Sequence, residues 1–129
     1  MRIPIAYLQV AIGAALGSLC RYGLQQAWDP KGSAGLPLGT LVINVVGCLV
    51  IGAVIPLLHR SPAGRAAQPF ATTGFLGGFT TFSAFAMETT ALLDAGKGAM
   101  AMGYVALTLL LGLMAVAIGV RLTARWGRP

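Results

Sequence analysis

Four stretches of this 129-residue chain, 4–28, 36–58, 68–94 and 98–126, are each apolar and long enough to cross a bilayer, and they leave almost nothing over. A spanning helix needs about 20 mostly apolar residues, and in hydrocarbon a helix satisfies its own backbone N–H and C=O groups within one segment. The overall make-up agrees: 57% of residues are hydrophobic and 9% charged, with a mean hydropathy of +0.80. The chain reads as an all-α membrane protein, a single four-helix transmembrane domain over 1–129. Its connections, DPKGSAG at 29–35, HRSPAGRAAQP at 59–69 and DAGKG at 94–98, carry turn and breaker residues. They are short, so neighbouring spans are expected to run antiparallel.

Met1 and Arg2 precede an apolar run in the manner of a signal peptide, but that run is long, contains Arg21 and has no clean small-residue cleavage site. It is read as an uncleaved first helix. Cys20 and Cys48 fall inside spans at a spacing that matches no metal or redox motif, and are expected as small apolar core residues.

The net charge of +6 does not point to nucleic acid, because the basic residues sit at helix ends and form no recognition stripe. With an even number of spans, Arg2, Arg60, Arg65, Arg121, Arg125 and Arg128 share one side, against Lys31 and Lys97 on the other. By the positive-inside rule that side faces the cytoplasm, both termini included.

Four helices this short enclose little interior, so an ion path is most easily built between copies, and oligomerisation is expected. Gly13 and Gly17, Ala14 and Ser18, and Gly74 and Gly78 repeat the small-residue step that lets membrane helices approach closely. Whether those faces pack within one chain or between chains is open at this level.

Polar groups inside the spans must find partners or serve a purpose. Those that stand out are Arg21, Asn44, Thr72, Thr73, Thr80, Thr81, Ser83, Glu88, Tyr104 and Thr108. Arg21 would cost roughly 2.5–3.5 kcal/mol at a helix centre, so it either reaches an interface or a structural partner, or lines a positive vestibule that gathers anions. Asn44, in GTLVINVVG, is either a hydrogen bond between helices or a donor facing a ligand. Tyr104 and Thr108 lie four apart on one helical face, continued by Gly112 and Gly119; this suits a polar track or plain packing.

The segment GFLGGFTTFSAFAMET, 74–89, combines all of these elements. In a regular helix Phe75, Phe79, Phe82 and Phe85 would form an aromatic stripe. Gly77 and Gly78 argue for a break, since each glycine weakens a helix by about 1 kcal/mol, and threonine hydroxyls can satisfy the freed backbone groups. Carbonyls exposed at such a break are a recurrent way to hold a cation in a membrane. A phosphate-loop reading fails for want of the lysine and of a preceding strand. No triad, HExxH or carboxylate pair is present, so an enzyme is not expected. Phenylalanine edges carry partial positive charge. Phe82 and Phe85, with an amide such as Asn44, could replace the hydration shell of a small anion, and a larger one would not fit.

These segments, GFLGGFTTFSAFAMET, GTLVINVVG and GSLCRYGL, resemble the Fluc (CrcB) family of bacterial fluoride channels, and the likeness covers all four spans. The resemblance implies an inner-membrane, dual-topology homodimer of oppositely inserted subunits enclosing two fluoride pores. It implies passive efflux of fluoride trapped in the cytoplasm after hydrofluoric acid has entered. On it, Phe82 and Phe85 line the pores with Asn44 beside them, Tyr104 and Thr108 form a hydroxyl track, and Thr81 and Ser83 contribute nearby. Glu88 falls toward a pore end and Arg21 near the vestibule. The carbonyls of Gly77 and Thr80, with their symmetry mates, hold a structural Na+ at the dimer centre.

Phe79 stands where an aliphatic residue is expected, Gly112 interrupts the hydroxyl track, and the charge bias pulls against equal insertion in both orientations. A small multidrug transporter would need a first-helix carboxylate, where this chain has Arg21. A non-transporting assembly protein would leave the Gly, Thr and Phe cluster unexplained.

Overall fold

The computed structural model describes residues 4–28 and 35–125. Its elements are α1 (Ile5–Trp28), α2 (Leu38–Leu58), α3 (Pro62–Gln68), a π-helical stretch (Pro69–Leu76), α4 (Gly77–Phe79), α5 (Phe82–Asp94) and α6 (Gly98–Arg125). Among the described residues there is no strand, and three helices, α1, α2 and α6, are long and apolar enough to cross a membrane. Arg2, Lys31 and Arg128, counted in the charge bias, and Trp126, at the end of the fourth expected span, lie outside the described residues.

Residues 59–69, read from sequence as a connection, instead carry α3. Ser61 caps it, its hydroxyl accepting from Gly64 N at 3.0 Å, and Pro62 supplies a ready φ at the first position. The chain then runs through Pro69 without leaving helical geometry. A proline inside a helix removes one bond and crowds the preceding carbonyl; widening the turns to π geometry gives that crowding room. Thr72 Oγ1 donates to the Gln68 carbonyl at 2.9 Å within this widened part.

At the other end, α5 stops at a glycine turn. Gly96 has φ of 71°, and Gly96 N and Lys97 N donate back to Leu93 O and Leu92 O, both at 2.9 Å. This left-handed closure satisfies the last carbonyls and lets α6 begin at Gly98.

The helices pack as two parallel pairs. Gly13 and Gly17 of α1 lie against the backbone of Phe70, Gly74, Phe75 and Phe79, and Gly78 lies against the backbone of Ala14. The small-residue faces therefore meet each other inside one chain. In the second pair Gly52 of α2 abuts the Val116 backbone, and Gly119 of α6 abuts Leu49 and Ala53. Arg60 Nη2 donates to Thr123 O at 2.6 Å, which ties the ends of α2 and α6 together.

The buried cluster of Leu41, Phe85, Leu92, Ala101 and Tyr104 joins α2, α5 and α6. Large apolar side chains along α1 and α6, such as Tyr7, Ile12, Leu110 and Leu113, are exposed, as helices whose solvent is lipid would have them.

Candidate functional site

The site is built around two residues that are not helical. Thr80 (φ −83°, ψ 160°) and Thr81 (φ −150°, ψ 120°) are extended, between α4 and α5. Thr80 closes α4, with its N–H and its hydroxyl both donating to Leu76 O, at 3.0 and 2.9 Å. Thr81 opens α5, with Oγ1 accepting from Ala84 N at 3.2 Å and Ser83 Oγ beside it at 3.2 Å. Such a cap offsets the lost helical bonds by about 1 kcal/mol.

Asn44 holds the interruption in place. Its Oδ1 accepts from Thr81 N at 2.8 Å and its Nδ2 donates to Thr81 O at 2.9 Å, so the amide pairs with both backbone groups of one residue. A carboxamide has two N–H donors; one is committed to Thr81. Of the two sequence alternatives for Asn44, the structure shows the interhelical bond, and it leaves one amide hydrogen uncommitted.

Two carbonyls lose their ordinary helical donors here. Thr81 N, four residues on from Gly77, donates to Asn44, and Ala84 N, four on from Thr80, donates to Thr81 Oγ1. The Gly78 carbonyl between them is taken: Arg21 Nε donates to it at 3.2 Å and Ser18 Oγ at 3.4 Å. Arg21 thus meets a helix's carbonyl end, where a cation is favoured. Gly77 and Thr80 present hard neutral oxygens, the donor type suited to an alkali cation.

The expected aromatic stripe divides at the interruption. Phe75 and Phe79 stack on one another before it, centroids 6.1 Å apart and nearly coplanar at 8°. Phe82 and Phe85 follow it at 5.6 Å and a 49° tilt, and Phe85 meets Tyr104 at 5.3 Å and 51°. Tilted pairs direct ring edges toward neighbouring atoms. The two rings are not equivalent in the chain: Phe85 is 8% exposed and Phe82 78%.

Beyond Phe85 the carboxylate of Glu88 is held on both oxygens. Thr40 Oγ1 donates to Oε1 at 2.6 Å and Tyr104 OH donates to Oε2 at 2.7 Å. Gln25 Nε2 donates to Thr40 Oγ1 at 3.4 Å, which directs the single threonine proton toward Glu88. Thr40 is 2% exposed and Tyr104 fully buried. Sequence reasoning missed Thr40, Gln25 and Ser18. Thr40 was within reach, since it lies in GTLVINVVG one helical turn before Asn44.

A groove of about 330 Å³ runs between these elements, lined among others by Asn44, Cys48, Gly77, Thr80, Phe82, Phe85 and Thr108. Thr108 Oγ1 is buried with no hydrogen-bond partner among the described residues, a costly state for a hydroxyl unless something visits it. Asn44, Thr81, Phe82, Phe85 and Thr108 therefore share one groove. Tyr104 adjoins it through Phe85 and Glu88 through Tyr104, Ser83 touches it only through Thr81, and Arg21 works from α1 on the Gly78 carbonyl. Cys48, expected as a core residue, is half-buried on the groove wall, and Cys20 is exposed.

Residues 8–120 match the family model described as CrcB-like protein, Camphor Resistance (CrcB). A protein of Paracoccus denitrificans named fluoride-specific ion channel FluC is 49% identical over 114 residues, covering 88% of this chain and 90% of that one. A protein of Thermus thermophilus with the same name is 43% identical over 90% of this chain and 93% of its own length. A third, named FluC 2, from Nocardia farcinica, is 40% identical over 95% and 87%.

Proposed function

The chain belongs to the CrcB-like family, and from that premise we propose that it is a fluoride-specific ion channel of the plasma membrane, through which fluoride leaves the cytoplasm passively. The observation that carries this is likeness over nearly the whole chain to proteins named fluoride-specific channels. It is not an enzyme, and no energy source beyond the fluoride gradient is needed.

The groove is the ion path. A small anion gives up water only to groups that replace it: the second amide hydrogen of Asn44, the unpartnered hydroxyl of Thr108 and the edges of Phe82 and Phe85. None is a full positive charge, so the ion is held weakly enough to leave. Thr81 is held by Asn44 and in turn sets the start of α5, which aims the two rings. Ser83 steadies the Thr81 hydroxyl. Beyond Phe85, Tyr104 and Thr40 stand with their protons on Glu88, where an arriving fluoride would compete for them.

The four-span fold with an interrupted third crossing and a second, oppositely inserted copy is part of this proposal. Phe82, exposed in one chain on the groove wall, supports a partner that covers it. A Na+ ion would be held by the Gly77 and Thr80 carbonyls and their counterparts in that partner, where it supplies a fixed positive charge between the two copies. The redirected Thr81 and Ala84 N–H groups support this, since they leave those two oxygens free of their helical donors. A multidrug-type transporter is disfavoured because Glu88, the acid nearest the groove, already has both oxygens bonded.

Purified protein in liposomes, with a potassium ionophore to balance charge, is expected to release fluoride to an ion-selective electrode and to retain chloride. No fluoride release, or equal chloride release, would overturn the proposal.

A further inference from the structure

The two parallel helices α2 and α6 carry polar positions at the same four-residue step. On α2 they are Thr40, Asn44 and Cys48; on α6 they are Tyr104, Thr108 and Gly112. Residues four apart stack on one face of a helix, so parallel helices meet rung by rung. Thr40 and Tyr104 share the Glu88 carboxylate, and Asn44 and Thr108 line the groove together. At the third level a Cβ built on Gly112 would stand 3.5 Å from Cys48 Sγ. One turn further, Gly52 and Val116 close the helices onto each other. The groove runs past Cys48 to Ile51, and at the third level α6 brings no side-chain donor to it.

We propose that the Cys48 thiol is the third donor rung of this chain's ion path, supplying from α2 what Gly112 cannot supply from α6. This rests on the channel reading above. Cys48 lines the same groove as the buried, unpartnered Thr108 hydroxyl, the neighbouring rung. A thiol is a weaker donor than a hydroxyl, but of the two residues that face each other at this level only Cys48 has a side-chain donor. An ion passing from Thr108 toward Gly112 meets S–H next. The same placement puts the thiol on the groove wall, where an added thiomethyl group would narrow the path.

The test uses full-length protein in liposomes on a Cys20→Ser background, which leaves Cys48 as the sole thiol. Cys48→Ala is expected to slow fluoride release by about fivefold, the rate equivalent of one modest hydrogen bond. Cys48→Ser, which keeps a donor, recovers most of the lost rate. Gly112→Ser added to Cys48→Ala also recovers it, because 3.5 Å from Sγ is ordinary contact and the serine fits. Methyl methanethiosulfonate abolishes release from the Cys48 protein and leaves the Cys48→Ala protein as it was, with mass spectrometry confirming the added thiomethyl group. Unchanged release from Cys48→Ala, or full release from protein fully modified at Cys48, overturns the proposal. A parent protein that passes no fluoride overturns the channel reading itself, and is told apart from those outcomes by the parental trace.

Discussion

The pair formed by α1 with residues 69–79 and the pair formed by α2 with α6 both use small residues to bring parallel helices together, yet they leave different chemistry behind. In the first, Gly13, Gly17, Gly74 and Gly78 let backbone meet backbone, and what remains to interact is carbonyl oxygen. Arg21 and Ser18 take one such carbonyl, and Gly77 and Thr80 are left with theirs. In the second, glycines close only the end near Gly52 and Gly119, while nearer the start of the two helices Asn44 and Thr108 line the groove, and Thr40 and Tyr104 below them are buried on the Glu88 carboxylate. A seam without side chains offers acceptors, which suit a cation. A seam with short polar side chains offers donors, which suit an anion.

The comparison is broken most severely by adding bulk to the closed seam. Gly17→Leu would drive a side chain into the Phe75 and Phe79 backbone, where nothing flexible can yield. Overpacking of this kind costs about 3 kcal/mol or more, and little monodisperse protein is expected from size-exclusion chromatography. Gly112→Ala, on the open seam, is expected to leave the elution profile unchanged. Equal damage from both would mean that the seams do not differ.

The joint between the two pairs is the next point of attack. Asn44→Leu removes both bonds to Thr81 and leaves two backbone groups unpaired, for about 2 kcal/mol. Thermal melting in detergent should move down accordingly, and fluoride release should fall more than tenfold because α5 is no longer aimed. A variant that melts early but conducts at the parental rate would separate the interruption from the path.

The smallest expected effect on stability comes from Thr108→Val. It has nearly the same shape and removes a hydroxyl that has no partner, so stability should stay within about 0.5 kcal/mol. Flux should nevertheless slow measurably. A large drop in Tm with normal flux would show that the hydroxyl serves packing instead.

Much of this was legible beforehand for a physical reason: hydrocarbon tolerates few polar groups, so those present stand out. Asn44, Glu88, Tyr104, Thr108 and the residues of 74–89 were all visible as exceptions in an apolar text. What could not be seen was pairing. Arg21 could have reached for an interface, and its bond to Gly78 O depends on α1 running parallel to residues 62–79. Thr40 and Gln25 lie near helix ends, where polar residues are unremarked. Cys48 looked apolar, and only its position opposite Gly112 makes its S–H count. The helix at 62–68 was hidden because proline, glycine and serine read as a connection, although Ser61 and Pro62 are good starters of a helix.

By itself, the sequence determined the solvent, the helical class and many of the polar residues that stand out in a membrane, because transfer into hydrocarbon acts on each residue wherever it lies. It also marked 74–89 as unlike regular helix, but it put the break at Gly77 and Gly78, which are helical, whereas the extended residues are Thr80 and Thr81. Tertiary structure alone decided which groups meet: that the glycine faces pack within one chain, that Asn44 spans both backbone groups of Thr81, and that Phe82 is exposed where Phe85 is buried. Hydrogen bonds and close contacts act over a few ångströms between residues far apart in the chain, so they exist only once the helices have found their neighbours.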